Sequence, residues 1–249
     1  EYATARPLLE RALAIRERTL GPDHPATATS LNDLALLLYQ QGEYAAARPL
    51  LERALAICER TLGPDHPDTA TSLNNLAGLL YQQGEYAAAR PLLERALAIC
   101  ERTLGPDHPA TATSLNNLAG LLSEQGEYAA ARPLLERALA ICERTLGPDH
   151  PDTAASLNNL ALLLSEQGEY AAARPLYERA LAIRERTLGP DHPDTATSLN
   201  NLAGLLSEQG EYAAARPLLE RALAIRERTL GPDHPQTRQA RDRLRKLRG

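Results

Sequence analysis

The sequence predicts an all-α fold, a right-handed superhelical solenoid of antiparallel helix pairs. Three observations predict it. The string LGPDHP begins at Leu20, Leu62, Leu104, Leu146, Leu188 and Leu230, and QGEYAAARPL begins at Gln41, Gln83, Gln125, Gln167 and Gln209, both on a step of 42 residues. Within each 42-residue unit the apolar residues recur at helical spacing. The 249 residues are 43% hydrophobic yet contain no Phe, Trp or Met, so they suit a long thin layer of small aliphatics rather than a thick core. A unit of this size cannot cover its own apolar face, and stacked units cover one another.

The elements follow in order. Glu1-Tyr2 aligns with Glu43-Tyr44, so the chain opens on a second helix without its first and reads as a cut from a longer array. In the unit 68–109 a first helix is expected over about Asp68 to Gln82, with Leu73, Leu76, Ala77 and Leu80 on one face. Gln83-Gly84 ends it. A second helix is expected over about Glu85 to Leu104, with Tyr86, Ala89, Leu93, Ala96, Leu97 and Cys100 on its face, and Gly105-Pro106 stops it. The next helix starts after His108-Pro109, with Asp107 or His108 as its cap. Pro91 conflicts with a helix interior, but it recurs at Pro7, Pro49, Pro133, Pro175 and Pro217, so it is read as part of the curvature. The last segment aligns with a first helix. It keeps Leu244 and Leu247, carries Arg241 and Arg248 in place of leucines, and reads as a polar capping helix. The expected domain is one array over 1–249: a leading helix (1–25), five repeats (26–67, 68–109, 110–151, 152–193, 194–235) and a closing helix (236–249).

Composition and spacing exclude several functions. No apolar run approaches the roughly 18 residues of a membrane span, and no signal peptide is visible. The six histidines fall one per unit, and equivalent positions on stacked helices lie too far apart to share a metal ion. Cys58, Cys100 and Cys142 occupy a column that is Arg in Arg16, Arg184 and Arg226. A column that accepts Arg is expected outside the deep core, and three free thiols suit a reducing cytoplasm. No phosphate loop, catalytic triad or special carboxylate pair stands out, so no enzyme, cofactor or metal is expected. Glu94-Arg95 and Glu101-Arg102 read as solvated helix charges. Residues 236–249 carry six basic residues and one Asp, a net +5 on a chain of −5, so the other 235 carry −10. A short basic patch without aromatics on an acidic body argues against nucleic-acid or membrane partners.

The spacing of Leu73, Leu76-Ala77, Leu80, Gly84, Tyr86, Ala89, Leu93 and Ala96-Leu97 resembles the tetratricopeptide repeat family. The 42-residue form is similar to kinesin light chain repeats, through Leu73-Asn74-Asn75-Leu76-Ala77, Gln83-Gly84-Glu85-Tyr86, Arg95-Ala96-Leu97-Ala98-Ile99 and Leu104-Gly105-Pro106-Asp107-His108-Pro109. Aliphatics replace the family's usual Trp and Tyr, Ala77 replaces its usual Gly, and no heptad coiled coil for a heavy chain is visible. The resemblance implies a non-catalytic protein–protein interaction scaffold. It holds a peptide or protein partner in a concave groove lined by the first helices.

The residues support such a groove independently. At 100° per residue, Thr71, Asn75, Gly78, Tyr81 and Gln82 cluster beside Asn74 and opposite Leu73, Ala77 and Leu80. The candidate groove has five columns: Asn32, Asn74, Asn116, Asn158 and Asn200; Asp33, Asn75, Asn117, Asn159 and Asn201; Leu36, Gly78 and Gly120; Tyr39, Tyr81, Ser123, Ser165 and Ser207; Gln40, Gln82, Glu124, Glu166 and Glu208. Four of these columns differ between near-identical repeats, as a diversifying surface or a drifting one would. The asparagines either hydrogen-bond the main chain of an extended ligand or join one unit to the next. No first helix from Ala26 to Glu208 carries Lys or Arg. A Lys–Asn carboxylate clamp is therefore not expected, and neutral or basic peptides are. The alternative is a structural spacer, or an array that self-associates end to end when a closing helix meets another copy's uncovered leading helix.

Overall fold

A computed structural model describes residues 2–246; Glu1 and residues 247–249, including Leu247 and Arg248, lie outside the described residues. Among the described residues every regular element is an α-helix. In order they are α1 (Tyr2–Leu20), α2 (Pro25–Gln40), α3 (Tyr44–Thr61), α4 (Pro67–Gln82), α5 (Tyr86–Thr103), α6 (Pro109–Glu124), α7 (Tyr128–Thr145), α8 (Pro151–Glu166), α9 (Tyr170–Thr187), α10 (Pro193–Glu208), α11 (Tyr212–Thr229) and α12 (Pro235–Lys246). The chain forms two compact units, Glu1–Leu121 and Leu122–Gly249. In the first, α1 to α5 pack consecutively as antiparallel neighbours, and α2 also meets α4. In the second, α7 to α12 pack the same way, and α8 meets α10.

The repeated connections have mechanical reasons. The histidine is the cap that Asp107 and His108 left open: His108 Nδ1 accepts the Ala110 N–H at 3.1 Å, and His66 does the same for Asp68 at 3.1 Å. Two residues beyond the proline, Thr69 donates its hydroxyl to the Gly63 carbonyl at 2.9 Å and is fully buried. LGPDHPxT is thus a self-tied link in which Gly63 adopts φ +99°, a conformation open to glycine. At the other end of the first helix, Gly84 donates to Tyr81 O and Glu85 to Leu80 O, at 3.0 and 2.9 Å. That pattern is a Schellman closure. Pro91 lies within α5, which runs unbroken from Tyr86 to Thr103.

The core is a sequence of thin layers. Ala28 and Leu31 of α2 meet Ala54, Ile57 and Cys58 of α3, with Leu13 of α1 closing the layer. The next layer repeats it with Ala70, Leu73, Ala96, Ile99 and Cys100, closed by Leu55. The recurrent alanines are fully buried and hold the helices close. The missing Phe and Trp are explained by this thinness. One bulky exception occurs in the second unit, where Tyr177 replaces the leucine of the Leu51, Leu93, Leu135 and Leu219 column and is 1% exposed.

Glu94-Arg95 and Glu101-Arg102 keep solvent exposure, as their reading as solvated helix charges expects, and the two arginines also reach neighbouring elements. Arg95 reaches back to Glu59 of the preceding second helix at 2.6 Å and to the Pro64 carbonyl at 3.2 Å, and Arg102 pairs with Asp65. Equivalent ties join Arg53 to Glu17 at 2.7 Å and Arg179 to Glu143 at 2.6 Å. They stay partly exposed, so each stabilises by at most about 1 kcal/mol. Arg53, Arg95 and Arg179 thereby tie each second helix to the second helix before it.

Candidate functional site

The first helices carry one face toward the second-helix layer and leave the opposite face open. In the first unit this open face holds three cavities that share lining residues. One of about 180 Å³ is bounded by Leu36, Tyr39, Leu51, Asn74, Asn75 and Gly78. A second, of about 270 Å³, shares Tyr39 and Gly78 and extends to Tyr81, Gln82, Asn116, Asn117 and Gly120. A third, of about 330 Å³, shares Leu36 and Asn75 and lies among Asn32, Asp33, Cys58 and Asp68. In the second unit a cavity of about 380 Å³ gathers Ser165, Asn201, Ser207 and Glu208 with Tyr177, Arg243 and Lys246. Gln40, Ser123, Glu124, Asn158, Asn159, Glu166 and Asn200 line none of these four cavities.

Glycine at the third column opens the wall. A side chain added at Gly78 or Gly120 would meet nothing within 4 Å, whereas Leu36 and Leu162 stand half-exposed at the same column. Tyr39 packs on Tyr44 and Tyr81 on Tyr86, with ring centroids 5.5 Å apart in each pair. Burial, and then the nearby Tyr44, push the Tyr39 phenol up. The serines at 123, 165 and 207 remove this aromatic pair from later repeats.

The asparagine column divides. Asn32 donates Nδ2 to Ser72 Oγ at 3.0 Å, and Asn74 donates to Ser114 Oγ at 2.9 Å, each reaching the next first helix. Asn74 Oδ1 also accepts from Asn117 Nδ2 at 3.3 Å. Asn158 and Asn200 are buried, at 5% and 4% exposure. Of the two roles the residue pattern allowed, these contacts favour the joining of units.

The Cys/Arg column requires a correction. It was expected outside the deep core, yet Cys58, Cys100 and Cys142 are 3% exposed, and Arg184 and Arg226 are 7% and 4% exposed. The reason is local chemistry. Arg184 places its guanidinium on the Asp194 carbonyl at 3.0 Å and Ser198 Oγ at 2.9 Å. Arg16 does the same with Ala26 O at 2.9 Å and Ser30 Oγ at 2.8 Å. The stem packs while the head is hydrogen-bonded. In the cysteine repeats the thiol faces the same serine, at 3.6 Å for Cys58 and Ser72. Burial raises the Cys58 and Cys142 thiols, which is opposite to the activation a nucleophile needs. Arg226 faces Ala240 instead of serine, keeps one bond to Gln236 O at 3.2 Å, and is lowered to about 10 by burial and by Arg243. Among the described residues no three His, Cys, Asp or Glu converge as a metal site requires, and no helix is long and apolar enough to cross a membrane.

The tetratricopeptide repeat family model matches residues 1–60, 34–99, 71–144, 115–186, 152–228 and 194–244, in overlapping pairs of repeats. The chain belongs to the tetratricopeptide repeat family. Its tetratricopeptide pairs are similar to the nearly identical TPR-like repeats of a kinesin light chain-like protein from Podosopora anserina, at 34% identity and TM-score 0.61, covering 83% of this chain and 98% of that one. They are also similar to BtubC (BKLC) from P. vanneervenii, at 26% identity and TM-score 0.66, covering 94% and 92%. A Rap protein complexed with Competence and Sporulation Factor shares the fold at 16% identity and TM-score 0.69, covering 97% and 76%. No curated protein matches the chain. The family makes the chain a protein-interaction scaffold of a generally non-catalytic kind.

Residue reasoning overlooked Tyr177, Arg243 and Lys246. The signal was available for two of them: Arg243 and Lys246 fall 42 residues after Asn201 and Gly204, in the groove columns themselves. Tyr177 offered only a substitution in a leucine column, with nothing to say where its hydroxyl would emerge.

Proposed function

We propose that this tetratricopeptide array binds an extended peptide or a protein segment along the open face of its first helices, without catalysis. One observation carries the reading. The cavities on that face are bounded by the columns at which otherwise near-identical repeats differ. Side-chain-sized hollows there coincide with several of the varying columns, so different segments of wall select different side chains. The groove residues are the five columns named above, with Asn158 and Asn200 buried as supports behind the contact surface and Asn32 and Asn74 bordering the cavities while joining neighbouring first helices. From Ala26 to Glu208 the first helices carry no Lys or Arg, which favours neutral or basic ligands along most of the wall. The whole chain acts as one array, and its buried unpaired thiols suit a reducing cytoplasm.

The test is selection of random nine-residue peptides on the immobilised chain, followed by hydrogen exchange of each complex. The expected result is protection of α2, α4, α6, α8 or α10. Protection confined to second helices, or failure to select any peptide, overturns the reading. A second reading, end-to-end association, rests on α1, where Leu8 is 66% and Ile15 42% exposed. Light scattering across a concentration series separates the two. Growth with concentration that Leu8→Gln abolishes is expected of association alone.

A further inference from the structure

We infer that the cavity over Cys58 receives an arginine side chain from the bound partner, at the position where the array elsewhere inserts its own. This rests on the peptide-groove reading and names the side chain that one part of the groove selects.

The array itself supplies the precedent. At Arg16 and Arg184 a guanidinium crosses from the second helix to the next first helix and settles on a backbone carbonyl and a serine hydroxyl, with all four distances between 2.8 and 3.0 Å. One repeat after Arg16 the column becomes Cys58, whose short side chain stops at Ser72. The carbonyl equivalent to those of Ala26 and Asp194 now belongs to Asp68. Asp68 borders a hollow of about 330 Å³ together with Cys58, Asn32, Asp33, Thr71 and Asn75.

The hollow is set up for a donor. Asp33 and Asp68 are its two carboxylates, both exposed, and among the described residues neither forms an ion pair with Lys or Arg; His66 Nδ1 lies 3.8 Å from Asp68, and the Cys58 thiol is also close enough to feel its charge. Asn32 has used its Nδ2 on Ser72, and its Oδ1 is buried without a hydrogen-bond partner. Two exposed carboxylates without a Lys or Arg ion pair, beside the Asp68 carbonyl, call for a cation with several N–H groups. A planar guanidinium offers five such donors, whereas an ammonium acts as a point charge. Leu36 and Asn75 also bound the apolar cavity beside Tyr39, so the site opens onto the groove. The next cysteine lacks these acids: its corresponding positions are Asn75 and Ala110. The arginine site is therefore singular within the first unit.

The decisive variant is Cys58→Arg, which fills the hollow from within. Its fold is safeguarded because the array already carries arginine at this column three times. The probes are acetyl-arginine-amide and acetyl-citrulline-amide, followed by backbone amide NMR, and the random nine-residue peptides described above. Expected are shifts at residues 32–36 and 68–75 with the arginine probe, at least about tenfold weaker response to citrulline, and loss of both in Cys58→Arg with an unchanged melting temperature. Asp33→Asn with Asp68→Asn should cut the arginine response about tenfold without filling the site. Among selected peptides, arginine should be enriched on the parent chain and lose that enrichment on Cys58→Arg. Equal response to citrulline, or peptides that bind Cys58→Arg as well as the parent, overturns the arginine site and leaves the groove reading standing. A lysine probe that binds as tightly overturns the choice of guanidinium. Failure to select peptides, with the arginine shifts intact, overturns the groove reading alone.

Discussion

Asn74 shows how far a single residue was legible. Its position on the open strip follows from helical periodicity, but its partner lies 40 residues away on α6. Two roles fitted the pattern, and only the neighbouring helix could separate them. Because its amide joins Ser114 and Asn117, Asn74→Ala is expected to lower unfolding free energy by about 1 kcal/mol, the value of a partly buried hydrogen bond less the better helix propensity of alanine. The denaturant midpoint measures it. Unchanged stability with weakened peptide binding would return Asn74 to the ligand. The Cys/Arg column misled for a related reason. A rule that arginine avoids the core treats the side chain as one object, whereas its stem and its head have separate surroundings here.

The element scale was the most legible. Proline after histidine, glycine after the last helical turn and leucines at i, i+3, i+4 and i+7 are local chemistry, and the observed helix bounds follow them. The choice between Asp and His as cap was not local in the same sense, because it depends on which side chain the extended φ and ψ at the cap direct to the second N–H of the helix. Helix ends also carry an unfavourable feature. Glu166 closes α8, where burial, and then the Glu124 carboxylate, raise its proton affinity, and the negative end of the helix opposes a second negative charge. A carboxyl raised in the folded state penalises folding once ionised and loses that penalty when protonated in both states. Glu166→Gln is therefore expected to raise the melting temperature at pH 7 and to leave it unchanged at pH values below the ordinary glutamate range. A stabilisation that persists undiminished in acid would point away from charge.

At the scale of the whole molecule the repeat dominates. Residues 85–126 and 127–168 match at 39 of 42 positions, so each repeat meets nearly the same neighbour. Deleting 127–168 joins Gly126 to Glu169, which reproduces the native Gly-Glu junction. The shortened chain is expected to keep its helicity per residue and to melt cooperatively at a modestly lower temperature, since stability is close to a sum over repeats and their interfaces. Circular dichroism decides this; collapse of helicity would mean the repeats are not interchangeable. What the sequence alone determined is the helix pairs, their order and the strip that faces away from the leucines, because each depends on residues within a turn or two of one another. Only the tertiary structure decided which polar residues are used between repeats, which columns are buried, and where hollows remain. Those depend on the side chain about 40 residues away that happens to fill, or leave unfilled, the space between stacked helices.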